Sequence, residues 1–257
     1  MSWTVFPYAN DDFTYAGTAL KQKWDRLHAG DGEPYPSEKK VQDAWRAHHA
    51  GDFAKARELG LAAGEAGANV ANKATMIYAT YLESDEDQKQ QLFLDVVERA
   101  AARQASHPDD ANAFYFHAYA LGRYSQSISV AKALAQGLGG KIKESLDKAL
   151  ELNPDHADAH IALATWHAEI IDKVGGLVGG LTYGAKKDLA IEHFDTALRL
   201  NPTSAITRIE YANAQVMMFG KIRMKDALAL YAEAKDMPPA DAMERLDQQL
   251  AIEELAD

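Results

Sequence analysis

Three histidines on one predicted helix have the spacing that chemistry would need: His156, His160 and His167 stand at i, i+4 and i+11. An i, i+4 pair puts two imidazoles on one helical face, where they can chelate zinc or nickel. A metal needs further ligands that this spacing does not supply, so packing between helices is the expected role and no metal is expected. In GGLTYGAKK, Gly179 and Gly184 are separated as in a phosphate-binding loop. However, Ala185 stands where the lysine belongs, no Ser or Thr follows, and the preceding element reads as a helix rather than a strand. GLGGK at 137–141 fails in the same way, so neither stretch is expected to bind nucleotide. Glu169 and Glu210 are lone acids on inner helices and are expected to bond to a neighbouring Arg, Tyr or loop amide, because buried carboxylates need partners. With no nucleophile elbow, HExxH or paired-carboxylate motif, the chain offers no catalytic residues and no cofactor site.

The elements that carry these residues are helical and repeated. DKALELNPDHADAH around Pro154 returns as DTALRLNPTSAITR around Pro202, a helix end, a turn and a helix start each time. Counting back from the prolines aligns Ala197, Phe194 and Ala190 with Ala149, Leu146 and Ile142, and with Ala234, Tyr231 and Ala227 before Pro239. Ala63, Gly60 and Ala56 take the same offsets earlier in the chain, with Gly51-Asp52 as the turn inside that repeat. The predicted helices run over 13–29 with Asp11 or Asp12 as cap, from Ser37 onward, over 69–82, over 85–106, and from Asp109 or Asp110 through the aromatic run DANAFYFHAYALG. A closing helix follows Pro239, with Leu246, Leu250 and Ile252 facing inward. Residues 1–12, with Trp3, Phe6, Pro7 and Tyr8, read as an extended arm that either straps the first repeat or lies in the groove.

A small residue with an aromatic four positions on, a second small residue three beyond it and then Pro form the pattern of the tetratricopeptide superfamily, which the chain resembles over most of residues 38–240. Its repeats are longer than the usual span of about 34 residues. The excess falls in two Gly-rich stretches, 125–141 and 173–187, between first and second helices. This long-loop form is similar to the T component of TRAP-type transporters and, more distantly, to the mitochondrial regulators of microtubule dynamics. The transporter components are periplasmic and often held by a lipidated cysteine, so a chain with no Cys departs from them. The expected fold is all-α: a solenoid of antiparallel helix pairs over residues 37–257 with Gly-rich insertions and a C-terminal capping helix, and with residues 1–36 as an arm and helix packed on it.

The resemblance implies that positions 2, 5, 9 and 12 of each first helix face a concave groove. Those positions hold Asn112, Tyr115, Tyr119 and Gly122, then Asp158, Ile161, Thr165 and Ala168, then Ile206, Ile209, Asn213 and Val216. Family members that clamp a peptide carboxylate use Lys, Arg and Asn there. Aromatic, aliphatic and small residues suit an apolar ligand or the chain's own side chains. Leu138, Leu177, Leu181 and Tyr183 on the Gly-rich stretches are candidates to roof a cavity or brace the repeats. A net charge of −11 opposes nucleic-acid binding. The basic clusters Lys21–Arg26 and Lys221–Lys225 read as solvated helix faces. The absence of a signal-type N-terminus and of any run of 18 apolar residues predicts a cytoplasmic protein with no membrane partner. The function expected is a non-catalytic scaffold that binds a protein or peptide in its groove. The alternatives are a carrier of a small apolar molecule and an enzyme of unrecognised chemistry.

Overall fold

The computed structural model describes residues 3–8 and 13–256, and among these every regular element is helical. In chain order they are α1 (Ala19–Leu27), α2 (Lys39–His49), α3 (Phe53–Ala62), α4 (Ala68–Tyr81), α5 (Glu86–Ser106), α6 (Ala111–Gln126) and α7 (Val130–Ala135). There follow α8 (Leu138–Leu152), α9 (Ala157–Val174), α10 (Gly176–Tyr183), α11 (Lys187–Leu200), α12 (Ala205–Phe219), α13 (Met224–Lys235) and α14 (Ala242–Glu254). The fold is an all-α helical-repeat solenoid built from the pairs α2/α3, α4/α5, α6/α8, α9/α11 and α12/α13.

Local sequence sets the helix ends. Asp52, Asp85, Asp110 and Ser204 each accept a hydrogen bond from the backbone N–H three residues on, satisfying one of the donors a helix start leaves free. His156 does the same for α9 with its imidazole. The first helix begins at Ala19 and not at 13, because Gly17 takes a left-handed conformation (φ +57°) that interrupts any helix there. The predicted caps Asp11 and Asp12 lie outside the described residues. Glu38 rather than Ser37 precedes α2, and its side chain makes no capping bond.

The two Gly-rich stretches are not loops: each carries a short helix, α7 in the first and α10 in the second. Their glycines act as punctuation, with Gly137, Gly175 and Gly184 at positive φ ending one helix or starting the next. Small residues sit where helices approach. Ala149, Ala190, Ala197 and Ala234 are fully buried, with Leu146, Phe194 and Tyr231 filling the space between.

The first helices of the pairs touch in sequence: α2 with α4, α4 with α6, α6 with α9, and α9 with α12. The capping helix α14 then touches both α12 and α2. The row therefore closes into a ring, and the concave face becomes an interior. Of the closing helix, Leu246 is buried and Leu250 half-buried. Ile252, expected inside, is 37% exposed; α14 presents its inner face to the ring through Met243, Glu244 and Asp247, three and four residues apart, which turns Ile252 away.

The described part of the arm, residues 3–8, lies outside that ring. Trp3 stacks on Tyr78 with centroids 4.0 Å apart, and Phe6 packs edge-on to Phe53. Gly51 lies directly under the Phe6 ring, which a Cβ at that position would meet at 2.6 Å. Trp3, Phe6 and Tyr8 are absent from the walls of the interior space.

Candidate functional site

The ring encloses a cavity of about 140 Å³. Every first helix from α4 to α12 contributes to its wall, through Lys73, Met76, Ile77 and Tyr81 on α4, Tyr115, Tyr119 and Arg123 on α6, and Asp158, Ile161 and Thr165 on α9. Ile206 and Glu210 of α12 and Met243, Glu244 and Asp247 of α14 complete the circle, while Arg26, Leu27 and Gly30 from α1 and its following turn cover one end. The middle of the wall is apolar, and charged groups stand at both ends.

At the end covered by α1 the polar groups form a connected network. The Asp31 carboxylate accepts from His28 Nδ1 at 2.8 Å and from Lys73 Nζ. Burial opposes the charge on Asp31, but Lys73 and His28 outweigh it and hold its pKa well below the usual carboxylate range. Glu33 accepts from Asn112 Nδ2 at 2.6 Å and Asn69 Nδ2 at 3.0 Å. Burial, with Asp31 and Asp110 nearby, pushes its pKa up to about 8, so Glu33 is a neutral acid at pH 7. His156 Nε2 donates to Asn112 Oδ1 at 2.8 Å while its Nδ1 accepts from the Ala159 amide. Those two bonds require the neutral ring, and burial lowers its pKa to about 4. Asp158, 3.0 Å by backbone from the Gly30 carbonyl, is raised to about 6 by burial against the pull of Lys73.

The ring is latched where its ends meet. Arg26 pairs with Glu244, His49 Nδ1 bonds to Asp241 Oδ2 at 2.7 Å, Tyr81 donates to Asp247, and Tyr15 donates to the Ala240 carbonyl. Burial raises the pKa of Asp247, which lines the cavity, to about 8, so it joins Glu33 as a second neutral acid. His48, His49 and Asp241 bring donor atoms within 4.8 Å of one another. Both Asp241 oxygens are engaged, one by His49 and the other by the Glu244 amide that starts α14, so His49 and Asp241 form a hydrogen-bonded clasp, whereas neither ring nitrogen of His48 has a hydrogen-bond partner among the described residues. His48 packs its ring edge-on to Trp45 and Phe53.

Residues 64–256 match the family described as Regulator of microtubule dynamics protein 1-3. The chain belongs to that family. No curated protein matches it by sequence. A crystal structure of a thermophilic tetratricopeptide-repeat protein from Thermus thermophilus is similar in fold, with a TM-score of 0.56 and 19% identity over 83% of this chain and 97% of that one. At that identity the likeness is one of architecture alone, and it agrees with the helical repeat described above.

Within this family fold, the positions read from sequence divide. Tyr115, Tyr119, Ile161 and Thr165 line the cavity, as do Gly122, Asp158 and Ile206. Asn112 lies just behind the wall and bonds to Glu33 and His156. Ile209 and Val216 pack instead into a second apolar cluster with Ala227 and Tyr231, and Asn213 accepts from the Tyr231 hydroxyl. Leu138 is buried and Tyr183 lies edge-on to Trp166, whereas Leu177 and Leu181 point to solvent, and none of the four touches the cavity. Glu210 bonds to Arg123 at 2.8 Å, and Glu169 to Lys173 and Gln126. His160 faces His193 across the α9/α11 pair, and His167 accepts from the Lys186 amide.

Sequence reasoning missed Lys73, Asp31, Glu33, Asp241 and Asp247. The signal for the first three was the single charged residue in NVANKATMIYATYL and the acids beside glycine in GDGE. Their partners come together by tertiary packing, at the turn after α1 for Asp31, Glu33 and Lys73 and at the α14 closure for Asp241 and Asp247, and no local pattern encodes that.

Proposed function

We propose that this protein is a non-catalytic helical-repeat scaffold that receives a short segment of a partner protein at the mouth of its central cavity. The observation that carries this reading is the rim of half-exposed Tyr119, Arg123, Glu169, Ile206 and Glu210 and exposed Gln126, on the concave faces of α6, α9 and α12. It joins an apolar floor to both signs of charge. Arg123 stacks over Tyr119 at 5.2 Å while pairing with Glu210, so a carboxylate or an amide of the partner can compete for either member. Thr165 offers a buried hydroxyl that has no partner among the described residues. Among the described residues most titratable groups around the cavity are hydrogen-bonded, and neither Thr165 nor Ser204 of its wall is bonded to a carboxylate or imidazole, which supports a binding role over catalysis.

A carrier of a small apolar molecule is the second reading, favoured by Met76, Ile77, Ile142, Leu146 and Ile161 in the wall. Ligand cavities are commonly about 300–1,000 Å³, and this one is smaller, so a carried molecule requires the latch to open. The two readings separate by photocrosslinking from Ala162, a half-exposed wall residue, in extracts of the source cells, alongside native mass spectrometry of the purified protein. A discrete protein adduct that is lost in Arg123→Ala supports the scaffold. A co-purified small molecule and no protein adduct overturns it in favour of the carrier.

A further inference from the structure

Three segments that join the first and second helices of successive repeats, taken with the adjoining ends of those helices, residues 128–143, 173–187 and 219–225, share one composition. Together they hold nine Lys and Arg and no Asp or Glu, in a chain whose net charge is −11. They are also neighbours in space. Gly139, at the start of α8, packs under the Tyr183 ring at the end of α10, where a Cβ would meet Cε1 at 3.3 Å. Lys187, just past α10, donates to the Met218 carbonyl and lies 4.5 Å from the Phe219 ring, which Arg223 also covers at 5.5 Å. The three insertions thus form one continuous rim.

The rim shows apolar side chains to water. Leu177 is 78% exposed, Leu181 82% and Ile222 85%, and Val130 and Leu134 lie bare at i and i+4 on α7. In α10 the buried side is the glycine side: Gly179 packs on Ile170, which leaves Leu177, Val178 and Leu181 facing outward. Contiguous exposed apolar side chains of this kind mark an interaction surface. Three of the cations are occupied, Lys143 by Asp147, Lys173 by Glu169 and Arg223 by Asp226. Lys132, Lys141, Lys186, Lys221 and Lys225 are exposed and have no ion-pair partner among the described residues.

We propose that this rim docks on an anionic lipid surface. The apolar residues stand on short protruding helices and a turn, a shape that inserts into a yielding interface and does not cradle a partner's helix. Short amphipathic helices with Leu and Val on one face and lysines beside them lie at the headgroup boundary, and long lysine side chains reach lipid phosphates while their stems stay in apolar surroundings. Charge complementarity sets the orientation: outside these segments the chain carries 18 Lys and Arg against 38 Asp and Glu, so the rim approaches a negative surface more favourably than the remainder taken as a whole. No helix among the described residues is long and apolar enough to cross a membrane, and the contact proposed is with one leaflet. The proposal does not depend on what the cavity binds.

The test is co-sedimentation of the purified protein with vesicles of phosphatidylcholine alone and of phosphatidylcholine mixed with phosphatidylglycerol. Expected are binding to the mixed vesicles, about tenfold weaker binding to the neutral ones or at high salt, and a loss of about tenfold or more in Leu177→Ser/Leu181→Ser and in Lys186→Glu/Lys221→Glu. These four side chains are exposed, so helix content and unfolding midpoint stay at parental values and report that each variant is folded. Absence of binding by the parent, or equal binding by parent and folded variants, overturns the proposal. So does a rim that ignores both vesicles and instead captures an acidic amphipathic peptide in a Leu177- and Leu181-dependent manner.

Discussion

The guanidinium of Arg26 and the carboxylate of Glu244, 218 residues apart in the chain, meet in a two-pronged ion pair with N···O distances of 2.5 and 2.8 Å. This contact joins the helix that covers the cavity to the helix that closes the ring. The Arg26 side chain is about a third exposed (32%), so solvent screening limits what the pair contributes to global stability; Arg26→Ala is predicted to cost about 1 kcal/mol. Its larger effect is local. Amide hydrogen exchange in α14 should quicken in Arg26→Ala more than in the α4/α5 pair, and equal exchange in both regions would show that the pair does not latch the ring.

Asp241 carries two loads at the same closure, accepting from His49 on one oxygen and capping α14 on the other. Asp241→Ala removes both and leaves a buried imidazole N–H without a partner, for a predicted loss of about 2–4 kcal/mol in urea unfolding. Asp241→Asn keeps the cap and should lose less than half as much. Chelator should leave the parent's midpoint where it was. A fall of several degrees restored by zinc would make His48, His49 and Asp241 metal ligands rather than a clasp.

Glu33 sets a pH dependence whose sign is fixed by its raised pKa of about 8. The folded state holds a proton there that the unfolded state, with an ordinary Glu pKa of about 4.3, releases. The contribution is fully present below the unfolded value and is lost as pH rises toward 8. Asp247 acts in the same direction. His28 and His156, both lowered to about 4, act oppositely between about 4 and their unfolded value near 6.5. Above pH 6.5 only the acids contribute. The parent should therefore lose about 3 kcal/mol between pH 6.5 and 8, roughly half from each acid, and Glu33→Gln should about halve that slope. An identical slope in the variant would place the titration elsewhere.

The helix pairs from Ala149 to Ala234 were legible because each repeat states its own close approach in adjacent residues, small at the crossing and bulky between. The insertions were misread as loops, because glycine count says where a helix can break and not whether the residues between breaks coil. Seven of the twelve groove positions, Tyr115, Tyr119, Gly122, Asp158, Ile161, Thr165 and Ile206, do line the cavity. In the last repeat the inner face turns toward α13 and α14, which takes Ile209 and Val216 into a separate core. The polar network was illegible because its partners meet through tertiary packing, Lys73 with Asp31 where the turn after α1 docks on α4, and Asp241 with His49 and Asp247 with Tyr81 where α14 closes the ring; only His28 and Asp31 are close in sequence.

Gly60 tests how far the repeat rule extends. It occupies the offset where Leu146, Phe194 and Tyr231 fill the later repeats, and with no side chain there the backbones of α3 and the turn before α4 come into contact. A Cβ on Gly67 would lie 2.1 Å from the Gly60 carbonyl oxygen and 2.8 Å from its Cα. Gly67 has φ −98°, so alanine there meets no conformational penalty, and its whole effect is steric. Backbone cannot rotate away as a side-chain tip can, so Gly67→Ala has to push the first two repeats apart and is predicted to cost about 3 kcal/mol or more. Gly64, three residues earlier, is the control. It has φ +65° and open space around its Cβ position, so Gly64→Ala pays only the left-handed strain of roughly 1–2 kcal/mol. Chemical unfolding of the two variants side by side measures the difference. Equal losses would mean that α3 and α4 are not in backbone contact and that a side chain at position 60 could be restored as in the later repeats.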